Sequence, residues 1–183
     1  MDFPELKAFP AVKDLRPTLI VDSREQTPLV FTRLPSVRAG LQSGDYSFLG
    51  GEEGLFAVER KSIQDLVSCC SGERERFERE LHRLRGFRFA RLLIVGRETD
   101  IAQCRFRGGM NPKSVMHTLC AWEARFIPVV FKADPETAAQ AVESWAFWAA
   151  REILKTASLF TRANTAEPAP EIEPTPQAEG TTP

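Results

Sequence analysis

Hydrophobic residues along the chain alternate between short continuous runs and stripes with helical spacing. Short runs rich in apolar and β-branched residues predict strands, and they lie at 18–21, 46–48, 55–58, 91–96 and 127–131. The second and third runs are joined by the glycine-rich segment LGGEEG, which predicts a hairpin. The last two runs are apolar throughout, which is typical of strands that are covered on both faces.

Apolar stripes with a spacing of three and four residues predict four helices between and after these strands. The first is expected to begin directly after Lys61, because Ser62 and Asp65 have the spacing of a capping box, and to end near Gly72. The others are expected over 73–85, from Asn111-Pro112 and from Asp134-Pro135. Because strands alternate with helices, we predict an α/β domain with a central mixed β-sheet flanked by helices on both faces.

The two ends of the chain differ in composition from its middle. Residues 1–17 are interrupted by prolines, which predicts an extended arm. Residues 161–183 are rich in Pro, Glu, Ala and Thr and poor in large apolar side chains, so we predict a disordered acidic tail. The folded domain is therefore expected over 18–160.

Composition and charge narrow the class of protein. The 183 residues are 43% hydrophobic and 27% charged, which fits one soluble globular domain. No apolar run approaches the ~18 residues of a membrane span, and the first residues lack the pattern of a secretory signal. We therefore expect a cytoplasmic protein without a membrane partner, associated with the nucleoid if it is bacterial or from a phage. All 24 basic residues but only 21 of the 25 acidic ones precede position 163, so the body is mildly basic.

Three acidic residues fall where predicted strands begin or end. Asp22 closes TLIVD, Asp45 opens the hairpin, and Glu59 closes FAVER. Side chains alternate along a strand, so Glu59 and Lys61 leave on the same face, and antiparallel pairing would bring Asp45 close to Glu59. Carboxylates bind hard divalent cations, and a neighbouring lysine can orient water or stabilise developing charge. This spacing fits metal-assisted phosphodiester hydrolysis, although a solvated strand end with a local ion pair would also explain it.

Three longer segments together resemble the nuclease domain of the XPF family of structure-specific DNA endonucleases. They are VDSRE at 21–25, GDYS at 44–47 and VERKSIQDL at 58–66. The family signature is Gly-Asp, a variable gap, Glu-Arg-Lys, three residues and Asp. The resemblance covers about 18–131 and implies a restriction-endonuclease-like fold. It also implies a Mg²⁺- or Mn²⁺-dependent DNA endonuclease, acting on branched or otherwise structured DNA in repair or recombination.

The resemblance also implies roles for the residues that match the metal-binding and catalytic positions. Asp22, Asp45 and Glu59 match the metal-binding acids of the family. Lys61 matches the catalytic lysine of the wider restriction-endonuclease-like fold. The expected centre therefore has three carboxylates around one divalent ion, with an ammonium group close to them.

Four further motif residues have roles that the resemblance leaves more open. Arg24 and Arg60 would suit contacts to the scissile phosphate or support of the acids, since a guanidinium binds phosphate in a bidentate way. An alternative for Arg60 is that it points away from the other catalytic side chains and forms an ion pair with Glu25. Capping of the first helix would by itself explain Asp65.

An arginine-rich segment follows the motif, with seven arginines and four glutamates between 71 and 91. Arginine suits phosphate recognition, and the expected DNA contacts are Arg83, Arg85 and Arg88. A glycine-containing loop further along adds two more candidates, Arg105 and Arg107. Alternatively, the loop is an ordinary connection, and pairs four residues apart on the helix, Glu75–Arg79 and Arg76–Glu80, stabilise an exposed surface.

The sequence departs from the family pattern at its C-terminal end, where nothing after Phe160 could form the tandem helix-hairpin-helix modules of members that cut forked DNA. Either a partner protein would then supply DNA targeting or the enzyme would act on simpler substrates, and Trp148 could serve a homodimer or heterodimer contact. One rival interpretation is a catalytically silent DNA-binding or scaffold protein on the same fold. Another is a sequence-specific restriction or repair nuclease with the same site. The four residues of the expected centre argue against the silent interpretation.

Overall fold

The computed structural model describes residues 14–165, with side chains up to residue 161. Its strands are β1 Leu19–Asp22, β2 Ser36–Ala39, β3 Tyr46–Phe48, β4 Phe56–Ser62, β5 Phe89–Val95 and β6 Val129–Lys132. Its helices are α1 Ile63–Cys70, α2 Arg74–Leu84, α3 Glu98–Ala102, α4 Pro112–Arg125 and α5 Pro135–Thr165. Every strand and helix expected from the sequence is present, whereas β2 and α3 were not predicted.

The strands form one mixed sheet in the order β2-β1-β3-β4-β5-β6. Strand β3 runs antiparallel to its neighbours β1 and β4, and the other adjacent pairs are parallel. Helices α1, α2 and α4 cover one face of the sheet, with Phe77, Leu92 and Trp122 in their core. Helix α5 covers the other face through Val142 and Ala146. The prediction of an α/β fold with helices on both faces of a mixed sheet is confirmed.

Three strands differ from their prediction for physical reasons. Strand β2 was missed because all four residues of its sequence SVRA are exposed and carry no apolar pattern. Strand β6 is half-buried throughout, not covered on both faces, because it lies at the edge of the sheet. Strand β4 continues to Ser62, since its polar residues still pair with β5. Glu59 therefore lies inside a strand and not at its end.

The start of α1 shows half of the predicted capping box, because Ser62 caps the helix but the Asp65 carboxylate accepts from the Ser62 hydroxyl and not from the Ser62 N–H. The Asp65 N–H donates to Ser62 Oγ at 3.1 Å, and Ser62 Oγ donates to Asp65 Oδ2 at 2.7 Å. Because this cap ends β4 and begins α1 without a loop, the positions of β4 and of α1 are coupled.

Helix α5 packs on the sheet through the predicted stripe, in which Val142 is fully buried and Trp145 and Ile153 are partly buried. The helix continues to Thr165, so the first residues of the predicted tail are helical. The remainder of that tail and most of the predicted arm, at 166–183 and 1–13, lie outside the described residues. No helix within 14–165 is both long and apolar enough to cross a membrane.

Candidate active site

The three acids of the motif lie on neighbouring strands at one end of the sheet. The Asp22 N–H donates to the Asp45 carbonyl at 2.9 Å, and the Asp45 N–H donates to the Val58 carbonyl at 2.9 Å. Glu59 follows Val58 on β4, so strand pairing brings Asp45 beside it, as the sequence predicted. Alternation along the strands directs the three acidic side chains to the face of the sheet that α1 and α2 cover.

Gly44 shapes the turn that delivers Asp45. Its φ of +80° lies in the left-handed region that glycine adopts most easily, and a Cβ there would lie 3.2 Å from the Val58 carbonyl oxygen. The glycine of the Gly-Asp pair is thus explained by backbone conformation and close approach to β4.

One cleft of about 560 Å³ is lined by all eight motif residues from Asp22 to Asp65. Helix α2 forms its opposite wall with Arg76, Phe77, Glu80 and Arg83. The structure therefore gathers residues that are 43 positions apart in the sequence into a single concave site. Clefts with convergent polar groups are the usual location of active sites.

Glu59 and Lys61 form an ion pair inside this cleft, with Lys61 Nζ donating to Glu59 Oε1. Lys61 Nζ also lies 5.2 Å from the centre of the Phe77 ring, a distance suited to a cation–π contact. Glu59 is only 6% exposed. The shared face of Glu59 and Lys61 is confirmed.

Burial controls the protonation of this group. It raises the pKa of Glu59, and the neighbouring Asp45 carboxylate adds to the rise. It also raises the pKa of Asp45, against the opposing effects of Lys61 and of the Arg60 N–H, which donates to Asp45 Oδ2 at 2.7 Å. Burial alone would lower the pKa of Lys61, but the two carboxylates outweigh it and raise that pKa. Lys61 is therefore an ammonium ion beside two acids whose charged forms are disfavoured by their surroundings.

Asp22 has a different environment, because donors occupy both of its carboxylate oxygens. Oδ1 accepts from the Arg24 N–H at 2.7 Å and from Arg24 Nε at 2.9 Å. Oδ2 accepts from Arg24 Nη2 at 2.8 Å and from the Leu41 N–H at 2.9 Å. The bonds from Arg24 lower the pKa of Asp22 to about 2.

The expected centre with three carboxylates is not assembled in this arrangement. Within 14–161, no three His, Cys, Asp or Glu side chains are grouped as a metal ion requires. Half-buried Asp45 and buried Glu59 are neighbouring carboxylates, which fits a hard divalent cation completed by other ligands. Asp22 is bound to Arg24, so its role as a third ligand stays a prediction.

Arg60 points to the other face of the sheet from Glu59 and Lys61. Its Nη1 lies 3.4 Å from Glu25 Oε1 and 3.0 Å from Thr27 Oγ1. The predicted ion pair with Glu25 is thus present. The Arg60 backbone N–H donates to Asp45, so the backbone at this position supports that acid, whereas a role of the Arg60 side chain in the reaction stays a prediction.

The arginines predicted to contact DNA lie on different surfaces of the molecule. Arg83 lines the cleft, and Arg85 is exposed at the end of α2. Arg88 lines a separate apolar pocket with Trp145 and Trp148 near the start of β5, away from the cleft. The structure does not bring Arg88 together with the acids.

The pairs expected on α2 have other partners. Arg76 pairs with Glu73, and Arg83 pairs with Glu80, both three residues apart. The interpretation based on pairs four residues apart, Glu75–Arg79 and Arg76–Glu80, was wrong about the partners. The charged residues at 73, 76, 80 and 83 form a stripe with helical spacing next to the buried stripe of α2. This spacing was the signal that could have identified them as cleft residues.

The mixed sheet with acids and a lysine at one end defines a nuclease domain with the restriction-endonuclease-like fold. The family model described as ERCC4 domain matches residues 21–144. Because that match covers more than half of the sequence, the chain belongs to the ERCC4 family of XPF-type nuclease domains.

Solved structures similar to this chain include two of XPF from one organism. XPF from Aeropyrum pernix has a TM-score of 0.58 at 18% identity, over 83% of this chain and 76% of that one. XPF from Aeropyrum pernix in complex with DNA has a TM-score of 0.55 at 19% identity, over 75% of this chain and 66% of that one. Identities this low demonstrate a shared fold. No curated protein sequence gives a significant match.

Proposed function

We propose that this protein is a divalent-metal-dependent DNA endonuclease that acts on branched or otherwise structured DNA in repair or recombination, in the cytoplasm. The observation that carries the proposal is the single cleft that contains every residue of the motif. Membership of the family supports the reaction class. One of the similar structures is a complex of XPF with DNA, which supports DNA as the substrate of this chain.

Mg²⁺ or Mn²⁺ would be held by Asp45 and Glu59. Burial raises the pKa values of both acids, and the charge of Asp45 adds to the rise at Glu59, so a divalent cation would relieve an unfavourable interaction. The donors are carboxylate oxygens, which suit a hard cation that keeps several waters. When bound, the ion would supply Lewis-acid stabilisation of phosphate charge and a more acidic water. Asp22 could join it only by exchanging a bond with Arg24.

The side chains around this pair have distinct tasks. Lys61 remains an ammonium ion, so it stabilises negative charge that develops on the phosphate during hydrolysis. Arg24 keeps 73% of its side chain exposed while it contacts Asp22, which leaves it accessible to a phosphate oxygen. Arg83 lies on the far wall of the cleft and extends the positive surface along the DNA.

Assembly and targeting form part of the same proposal. Helix α5 exposes Trp148, Leu159 and Phe160, with fractions of 46%, 60% and 70%. Large exposed apolar side chains along one helix fit a contact with a second copy or with a related chain. A partner protein would direct the enzyme to its DNA structure.

One observation favours the second candidate, a catalytically silent DNA-binding or scaffold protein on the same fold. Asp22 is saturated by Arg24 and Leu41, so the centre lacks its third free acid. Such a protein would bind structured DNA without hydrolysis.

The test of the proposal is a cleavage assay on labelled forks, flaps, single strands and duplexes in Mg²⁺, in Mn²⁺ and in EDTA. We expect cleavage that needs the metal and is lost in the Glu59→Gln variant. The matched control is Glu53→Gln, an exposed glutamate in the hairpin loop, which should cleave like the wild type. Cleavage in EDTA would contradict the metal-dependent mechanism. DNA binding without cleavage would favour the silent candidate.

A further inference from the structure

The loop between α3 and α4, which we call the basic loop (residues 104–110), has a defined conformation. The Arg105 N–H donates to the Asp100 carbonyl at 2.8 Å, and Arg105 Nη1 pairs with Asp100 Oδ1 at 3.2 Å. Phe106 and Met110 pack against the core beneath α1. Cys104 has a φ of 55°, a left-handed conformation that a residue with a side chain keeps only where its surroundings hold it.

Gln64 on α1 binds the middle of the basic loop through two hydrogen bonds. Its Nε2 donates to the Arg107 carbonyl at 3.1 Å, and the Arg107 N–H donates to Gln64 Oε1 at 2.9 Å. A side-chain amide supplies both a donor and an acceptor, so Gln64 pairs with Arg107 as a neighbouring peptide would. Because Gln64 is exposed, these bonds are not needed to satisfy buried groups, and their contribution to the free energy of unfolding is small.

The position of Gln64 relates the basic loop to the cleft. It lies between the capping residue Ser62 and the motif residue Asp65. A second cavity of about 380 Å³ lies between α1 and the basic loop, and Ser68 lines both this cavity and the catalytic cleft. The two cavities therefore meet at Ser68, so a strand leaving the cleft over α1 would reach the basic loop.

The chemistry of the loop fits a phosphate of such a strand. Arg107 is exposed, and within 14–161 its guanidinium forms no ion pair, whereas Arg105 is bound by Asp100. Gly108 has a φ of +114°, and a Cβ at Gly108 or Gly109 would meet nothing within 4 Å. This open space admits a nucleic-acid backbone beside the guanidinium.

We infer that Gln64 is a positioning residue that holds the basic loop so that Arg107 binds a phosphate of the DNA strand leaving the catalytic cleft. The inference rests on the proposed function, because it needs DNA in that cleft. It assigns a task to a residue inside the motif segment that neither the metal centre nor the cap uses. It also makes α1 the surface that links catalysis to strand binding.

The test measures the affinity for a labelled branched DNA in EDTA over a range of salt concentrations. We expect Arg107→Ala to weaken binding about five- to tenfold and to reduce the salt slope by about one. Gln64→Ala should weaken binding about threefold to fivefold, and the double variant should equal Arg107→Ala, since Gln64 acts through Arg107. Lys155→Ala on α5 removes the same charge elsewhere and should keep the wild-type affinity. Wild-type affinity of Gln64→Ala, or independent losses that multiply in the double variant, would overturn the inference.

Two further readouts separate positioning from a structural role. In Mg²⁺, Gln64→Ala should raise KM while kcat changes by less than about twofold. Hydrogen exchange of the Arg107 amide should become faster, with an unchanged Tm, and this readout needs no DNA. Faster exchange with unchanged DNA affinity would overturn the inference. A wild type that binds DNA through Arg107 but never cleaves it would contradict the proposed endonuclease and support the role of Gln64.

Discussion

Glu59 and Glu143 are both buried glutamates, with exposed fractions of 6% and 1%, and they lie on opposite sides of the same sheet. Glu143 Oε1 accepts the N–H groups of three consecutive residues, 32–34, and its Oε2 pairs with Arg33 Nε at 2.9 Å. Burial acts to raise the pKa of Glu143, but Arg33 and these N–H groups outweigh it, so the pKa is lowered.

Among the residues that the structure describes, Glu59 has far fewer hydrogen-bond donors around its carboxylate than Glu143. Its described donor is Lys61, and the adjacent Asp45 adds a like charge, so its pKa is raised. The comparison teaches that burial alone does not identify a functional acid. Glu143 in the structural site is saturated with donors, whereas Glu59 in the cleft has Lys61 as its described donor and a like charge beside it, so it gains most from a further cation.

The largest expected effect is on the cleavage rate, which should depend on Glu59 and not on Glu143. Glu59→Gln should lower the cleavage rate by roughly 10³-fold or more, because it removes charge from the expected metal position. It should leave the free energy of unfolding unchanged or higher, since it removes repulsion from Asp45. Cleavage kinetics and urea unfolding of the same preparation measure both. A strongly destabilised variant would place Glu59 in the structural class with Glu143.

The same substitution at Glu143 should instead affect the free energy of unfolding. Glu143→Gln should lower the free energy of unfolding by about 2–4 kcal/mol, because the Arg33 guanidinium and a backbone N–H lose a charged acceptor. The cleavage rate per folded molecule should be unchanged, since Glu143 lies on the far side of the sheet. Urea unfolding at pH 7 gives the first quantity, and active-site titration combined with kinetics gives the second. A Glu143→Gln variant as stable as the wild type would show that Glu143 does not stabilise the fold, and the contrast with Glu59 would no longer hold.

The same variant gives a pH dependence of known sign. A carboxyl whose pKa is lowered by folding contributes stability above its unfolded pKa of about 4.3, and this contribution is lost as the pH falls towards the folded pKa. The difference in unfolding free energy between wild type and Glu143→Gln should therefore be constant near neutral pH and shrink below about pH 4. Unfolding curves from pH 7 to pH 3 measure it. A difference that grows on acidification would mean that the pKa of Glu143 is raised.

The smallest expected effect concerns Asp65, an exposed acid that lines the cleft and whose carboxylate accepts from the capping hydroxyl of Ser62. Ser62→Ala removes the same cap without touching the carboxylate, so it is the matched control. If support of the cap is the main role of Asp65, Ser62→Ala should lose about 1 kcal/mol of stability, and Asp65→Ala should lose less because its N–H keeps the bond to Ser62 Oγ; both should keep kcat. A loss of kcat in Asp65→Ala alone would move Asp65 from the cap to the chemistry.

Features that depend on near neighbours in the chain were predictable. The period of two along a strand predicted that Glu59 and Lys61 share a face, and the three-residue spacing of Ser62 and Asp65 predicted the cap. The hairpin between β3 and β4 predicted the approach of Asp45 to Glu59. Each of these relations follows from backbone geometry over a few residues or one turn.

Features that depend on distant partners were not predictable. Asp22 is saturated partly by the Leu41 N–H, and Glu143 binds a loop 109–111 residues away. Backbone donors carry no mark in a sequence, because every residue except proline has one. The exposed strand β2 was missed for a related reason, since its pairing with β1 and not its own side chains makes it a strand.

The sequence by itself determined the α/β class, the order of most strands and helices, and the identity of the motif residues in the cleft, since these follow from periodicity, capping and a motif of fixed spacing. Only the tertiary structure decided which buried acids have enough hydrogen-bond donors and which carry a charge that their surroundings disfavour. That distinction depends on desolvation and on donors from remote segments. Both exist only after the chain has packed around the sheet.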